Sequence, residues 1–74
     1  MDVDVTLYPP LRHNRFSRAT VSLKEPATID TLLEHLVINQ HEVGSVYVNG
    51  EYGVFSQSLA NGDRVTLLPL IGGG

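Results

Sequence analysis

A chain of 74 residues has room for one small hydrophobic core, and eight acids against five bases give it a formal charge of −3, the wrong sign for a phosphate backbone. It has no cysteine, which excludes a disulfide framework, a thiol nucleophile and a Cys-based metal site. The opening Met1-Asp2-Val3-Asp4 lacks the apolar run of a signal peptide, and no apolar stretch approaches the roughly 20 residues of a membrane span. These features predict a soluble cytoplasmic protein with no nucleic-acid or membrane partner, whose charge suits a basic partner surface.

Val3, Val5 and Leu7 alternate with Asp2, Asp4 and Thr6, which predicts a half-buried strand over 2–8. Pro9-Pro10 stops it, because proline has no N–H to pair. The polar, basic segment 11–17 reads as a loop, and the alternation resumes at Ala19, Val21 and Leu23, completing a hairpin with a wide turn. Thr28 has the chemistry of a helix N-cap, with Asp30 placed to meet the positive helix end. Ile29, Leu32, Leu33 and Leu36 then fall at i, i+3, i+4 and i+7, one apolar stripe of a helix. Segment 37–44 leaves room for one more turn before Gly44 ends it. Val46-Tyr47-Val48 is a short strand, Asn49-Gly50 a tight turn, and 52–55 the returning strand. A turn over 58–63 leads into a last strand over 64–68, which Pro69 limits. One helix over one sheet face gives an α+β roll. The expected core is Val3, Val5, Leu7, Val21, Leu23, Ile29, Leu32, Leu33, Leu36, Val46, Val48, Leu59, Val65 and Leu67.

Candidate catalytic side chains are few. His13, His35 and His41 show no i, i+4 pair that would hold zinc, so no metal is expected and they read as surface residues. Arg12, Arg15 and Arg18 read as a solvated loop cluster, and Tyr8, Tyr47 and Tyr52 as packing residues. The serines have no nucleophile elbow, and Glu34 and Glu42 read as solvated. Lys24 is the sole lysine, which restricts chain-building through internal lysines. The terminal Gly72-Gly73-Gly74, taken alone, reads first as a frayed terminus, where small residues gather.

The order of elements, together with Leu7-Tyr8-Pro9-Pro10-Leu11-Arg12, Val48-Asn49-Gly50-Glu51, Asn61-Gly62-Asp63-Arg64-Val65 and the ending Leu70-Ile71-Gly72-Gly73-Gly74, resembles the MoaD/ThiS family of ubiquitin-like sulfur carriers. The resemblance runs over nearly the whole chain. It implies a β-grasp fold over 1–71, a mixed sheet of four to five strands on one main helix, followed by a tail over 72–74. It further implies that an E1-like adenylyltransferase, using ATP, activates the carboxylate of Gly74, with Gly73 its required neighbour. A persulfide sulfur then gives a thiocarboxylate, and the chain itself binds no cofactor and is no independent enzyme. The implied acceptor is the molybdopterin precursor on the synthase large subunit, or the thiazole of thiamine on thiazole synthase. The proline-rich opening and Pro69 lean to the first branch, and the triple glycine resembles endings in the second. The typical ending has two glycines, so Gly72 is read as spacer. A ubiquitin-like modifier joined to proteins through Gly74 is the competing class. For docking, Phe16, Leu68 and Leu70 are the expected apolar patch on an exposed sheet face, and Gly72 is counted with them as a partner-docking residue.

Overall fold

The alternating segments become strands and the 3.6-period stripe becomes a helix. The computed structural model describes residues 1–71; Gly72, Gly73 and Gly74 lie outside them, and so do the roles expected of those three residues. Strands β1 (Asp2–Leu7), β2 (Arg18–Ser22), β3 (Val43–Val48), β4 (Glu51–Tyr52) and β5 (Arg64–Pro69) form one sheet in the order β2-β1-β5-β3-β4. The central pair β1 and β5 is parallel, with Val5 opposite Val65 and Leu7 opposite Leu67. The other pairs are antiparallel. A helix, α1 (Ile29–Leu36), sits in the crossover that a parallel pair requires. This mixed sheet with one helix is the β-grasp arrangement. No helix among the described residues is long and apolar enough to cross a membrane.

The core lies between α1 and the inward face of the sheet. The expected core positions are buried with the exception of Leu36, which is half-buried at the helix end and packs against the core's edge. Leu11, Ala27, Ile38 and Val43 join the core without having been expected there. Leu11 stands among charged residues, yet successive turns with Leu11 N–H to Tyr8 O and His13 N–H to Pro10 O fold it inward to 2 % exposure.

Thr28 caps α1 as its chemistry predicts. Its hydroxyl accepts from Thr31 N–H, and Thr31 Oγ1 accepts from Thr28 N–H, each at 3.2 Å. The helix ends at Leu36, where its apolar stripe ends, and the further turn in 37–44 is a separate 3₁₀ turn at Gln40–Glu42. Val37 adopts the left-handed conformation (φ 56°, ψ 48°), and Ile38 N–H reaches back to Leu33 O at 2.9 Å. Arg15 holds this end from outside. Its guanidinium donates to Leu36 O (3.3 Å), Val37 O (2.8 Å) and Leu11 O (2.7 Å), which satisfies carbonyls the helix leaves open. Arg15 is therefore a structural clamp and not a solvated member of an arginine cluster. Arg18 is also committed, to Asp4 across β1 and β2, at 2.6 Å. That hydrogen bond, aided by the charges of Arg18 and Arg64, holds the Asp4 carboxyl below its ordinary range.

A β-branched residue in the left-handed region is strained by about 1–2 kcal/mol, and Val37 is 81 % exposed, so its side chain contributes little burial in return. Val37→Gly should therefore stabilise the domain by roughly 0.5–1 kcal/mol, the relief exceeding the extra chain entropy of glycine. A rise of a few degrees in melting temperature would register it; a fall would mean that the valine side chain holds the turn.

Candidate functional site

Asn49-Gly50 makes the β3–β4 turn with positive φ at both residues (54° and 84°). Asn49 also reaches across to the turn before β5. Its amide donates to Asp63 Oδ1 at 2.9 Å, its Oδ1 accepts from Arg64 N–H at 2.9 Å, and its backbone N–H donates to Arg64 O at 2.7 Å. Asp63 in turn accepts from Ala60 N–H, and Asn61 Oδ1 accepts from Asp2 N–H, both at 2.8 Å. The two polar sequence signatures thus form one brace that fixes where β5 begins, at the pole of the sheet opposite the C-terminus.

From that brace β5 runs through the middle of the sheet and delivers the C-terminal segment between β1 and β3. Tyr8 N–H donates to Leu67 O at 3.2 Å on one side, and Leu70 N–H donates to Glu42 O at 3.0 Å on the other. Leu70 is the last residue whose backbone is tied to the domain among the described residues. The side chains of Leu70 (65 %) and Ile71 (81 %) are exposed.

The outward face of the sheet changes character along its length. Near the brace it is charged, with Asp4 opposite Arg64 and paired to Arg18. Toward the C-terminus, Thr66 of β5 stands between Thr6 and Tyr47, Tyr47 faces Tyr52, and Leu68 faces Ser45. The Tyr47 and Tyr52 rings meet edge to face with centroids 5.8 Å apart. Tyr8, Tyr47 and Tyr52 are exposed, which corrects their reading as packing residues: each takes the outward phase of its strand's alternation. Leu68 is half-buried on this face and Leu70 follows it. Phe16 is elsewhere; it is half-buried against the core, because the loop after β1 turns it inward. Of the residues expected to dock, Leu68 and Leu70 lie at the end of β5 by this face and Phe16 does not, while the three exposed tyrosines stand in the outward phase. Their outward phase was visible at Tyr8, two residues beyond Thr6, and at Tyr47, between the inward Val46 and Val48.

Among the described residues there is no buried polar or charged side chain, and no group of three or more His, Cys, Asp or Glu converges on a metal position. His13, His35 and His41 are exposed, as are Glu34 and Glu42. What the fold does arrange is an apolar face next to the point where the chain's C-terminal segment departs.

The ThiS family model matches residues 5–74, nearly the whole chain and through its last residue. The chain belongs to the ThiS family. This family, with its MoaD-like relatives, consists of small ubiquitin-fold sulfur carriers or modifiers. No curated protein sequence matches at a significant level. Solved structures do. SAMP1 from Haloferax volcanii superposes with a TM-score of 0.77 at 22 % identity, covering 100 % of both chains. A protein from Pyrococcus furiosus ascribed to molybdopterin converting factor, subunit 1, gives 0.78 at 21 % identity over 96 % of this chain and 99 % of that one. Subunits 1 and 2 of the molybdopterin-converting factor from Helicobacter pylori form a protein–protein complex, and a chain of that complex gives 0.63 at 20 % identity over 100 % of both chains. At these identities the likeness establishes the β-grasp fold of this ThiS-family chain.

Proposed function

We propose that this ThiS-family protein carries sulfur as a thiocarboxylate on Gly74 and delivers it in cofactor biosynthesis, with the molybdopterin precursor as acceptor. The observation that carries this reading is the family match extending through residue 74, on a chain whose C-terminal segment leaves a central strand beside an exposed aromatic and aliphatic face. A carboxylate is a poor electrophile. An E1-like adenylyltransferase would make it reactive by letting its oxygen attack the α-phosphorus of ATP, with pyrophosphate leaving. A persulfide sulfur then attacks the acyl carbon and AMP departs. Reductive cleavage of the resulting acyl disulfide by a thiol leaves the thiocarboxylate, a good nucleophile near neutral pH. The ATP belongs to the partner enzyme; the carrier needs no cofactor of its own.

Glycine suits the insertion step because it lacks a Cβ and passes a narrow channel. Three extended residues reach roughly 10 Å, and ordering them costs about 1–2 kcal/mol each. Docking of Tyr8, Tyr47, Tyr52, Leu68 and Leu70 on the partner would offset that cost. The complex formed by the Helicobacter pylori subunits supports a molybdopterin synthase large subunit as one such partner. Thiazole synthase is the alternative acceptor. The likeness to a small archaeal modifier protein favours, as the second reading, conjugation to a protein lysine through Gly74.

The test is the intact mass of the untagged protein from its own cell. The expected result is a fraction in which sulfur replaces one terminal oxygen, mapped to Gly74 by fragmentation. A branched peptide with the Gly74 carboxyl in amide linkage to a lysine would transfer the conclusion to the modifier reading. Plain carboxylate alone, after incubation with ATP, a sulfur source and cell lysate, would refute both.

A further inference from the structure

The glycines of this chain are not equivalent. Gly50 and Gly62 have positive φ (84° and 87°) and open space where a Cβ would stand, so turn geometry explains them. Gly44 has neither property. It lies in β3 at the register shift between Val43 and Ser45, where one extra residue bulges against β5. A Cβ there would stand 2.6 Å from Pro69 O and 2.9 Å from Leu70 Cα. Both are backbone atoms, so no rotamer change could relieve the clash. The missing side chain is the space through which the C-terminal segment leaves the sheet.

Two further features converge on the same point. Glu42, whose carbonyl receives Leu70 N–H, closes a 3₁₀ turn (Gln40–Glu42) that a reciprocal capping box holds. Asn39 Oδ1 accepts from His41 N–H at 2.9 Å, and Glu42 Oε2 accepts from Asn39 N–H at 3.0 Å. The acceptor is thus held rigidly. Pro69, with its φ fixed by its ring, directly precedes the residue being held.

We propose that Gly44 is a positioning residue for the reactive terminus: by leaving its Cβ position empty it lets Leu70 bind Glu42 O, and this contact sets the direction in which residues 71–74 enter a partner's site. The proposal rests on the carrier reading above. Leu70 is the last residue among those described whose backbone is bonded to the domain, so the direction of departure is set there. Leu70 must stand in one relation to the docking face formed by Tyr47 and Leu68. Any side chain at 44 pushes Pro69 and Leu70 away and breaks that relation, while the face itself remains.

The experiment uses the full chain with Gly44→Ala, and Gly53→Ala as control. At Gly53 the added Cβ meets the flexible end of the Gln57 side chain at 2.5 Å and, unlike one at Gly44, no atom of Pro69 or Leu70. Amide exchange is measured at Leu70 and, for the fold, at Val5, Leu33 and Val65. Adenylation is measured as ATP–pyrophosphate exchange with the E1-like enzyme of the same cell. For Gly44→Ala the expected result is loss of Leu70 protection with the three core amides retained. Its kcat should fall about tenfold or more with KM within about twofold, since docking is intact and the terminus is misaimed. Gly53→Ala should leave Leu70 protection and kcat unchanged. Retained Leu70 protection in Gly44→Ala would overturn the proposal. So would loss of protection at all four amides, which would make Gly44 a requirement of the fold, or an equal fall in kcat for Gly53→Ala. If the unaltered protein supports no exchange at all, the carrier reading fails, while Leu70 protection still reports the hold of Gly44 on the exit.

Discussion

Deletion of Gly73 and Gly74 should abolish sulfur loading while moving the melting temperature by less than about 1 °C. The physical basis is a separation along the chain. The inward positions of β5 end at Leu67, and the last backbone bond of the described ladder is made by Leu70 N–H. Among the described residues, the core and the backbone ladder are complete by Leu70. The truncated chain still ends in a glycine carboxylate, now on Gly72, so the functional group is chemically unchanged. It is only short by roughly 7 Å. An in-line attack on ATP tolerates misplacement of about 1 Å before the rate falls by some hundredfold, so the shortfall removes the reaction. The measurement pairs a thermal melt with the mass-shift assay. A melting temperature lower by about 5 °C or more would mean that the tail contributes close to 1 kcal/mol of packing, and residual loading would mean that reach is not what the glycines supply.

The sequence was most legible where one periodicity acted alone. The alternation in β1 and β5, the stripe of α1, the Thr28 cap and the Asn49-Gly50 turn all rest on local chemistry, and each appears within a residue or two of its expected place. What was illegible depended on groups distant in the chain. The stripe gave the end of α1 at Leu36 but not how that end is held: Val37 takes the left-handed conformation, and Arg15, more than twenty residues earlier, donates to the carbonyls of Leu36 and Val37. Leu11 is buried by turns whose sequence looks polar. Gly44 looked like a helix stop because glycine often is one. Its actual role, at a bulge against Pro69 and Leu70, needs the β3–β5 register, which no local pattern contains. The candidate site divides in the same way. The terminal glycines are plain in the sequence and fall within the family match. The exposed aromatic face required knowing which way each tyrosine points, and that follows from strand phase once β1, β3 and β4 are placed in one sheet.

Leu33→Ala should destabilise the domain by about 2–5 kcal/mol, far more than any change at the tail or at Val37. Leu33 is 2 % exposed on the face of α1 that covers the sheet. Truncation leaves a void that the neighbouring Ile29, Leu32 and the inward strand residues cannot close without moving the helix. For a domain of this size the whole stability is of order 4–11 kcal/mol, so the melting temperature should fall by more than about 10 °C. Leu36→Ala, further along the same stripe but half-buried, should cost about 1 kcal/mol. The pair of chemical or thermal melts therefore tests where the apolar stripe stops acting as core. A cost below about 0.5 kcal/mol for Leu33→Ala would place α1 in a different rotation; equal costs would mean that Leu36 is covered more deeply than its exposure indicates. Because α1 lies on the side of the sheet opposite Tyr47 and Leu68, Leu33→Ala measured well below its melting temperature should still dock and load sulfur. Stability and delivery would then be separable properties of the two faces of one sheet.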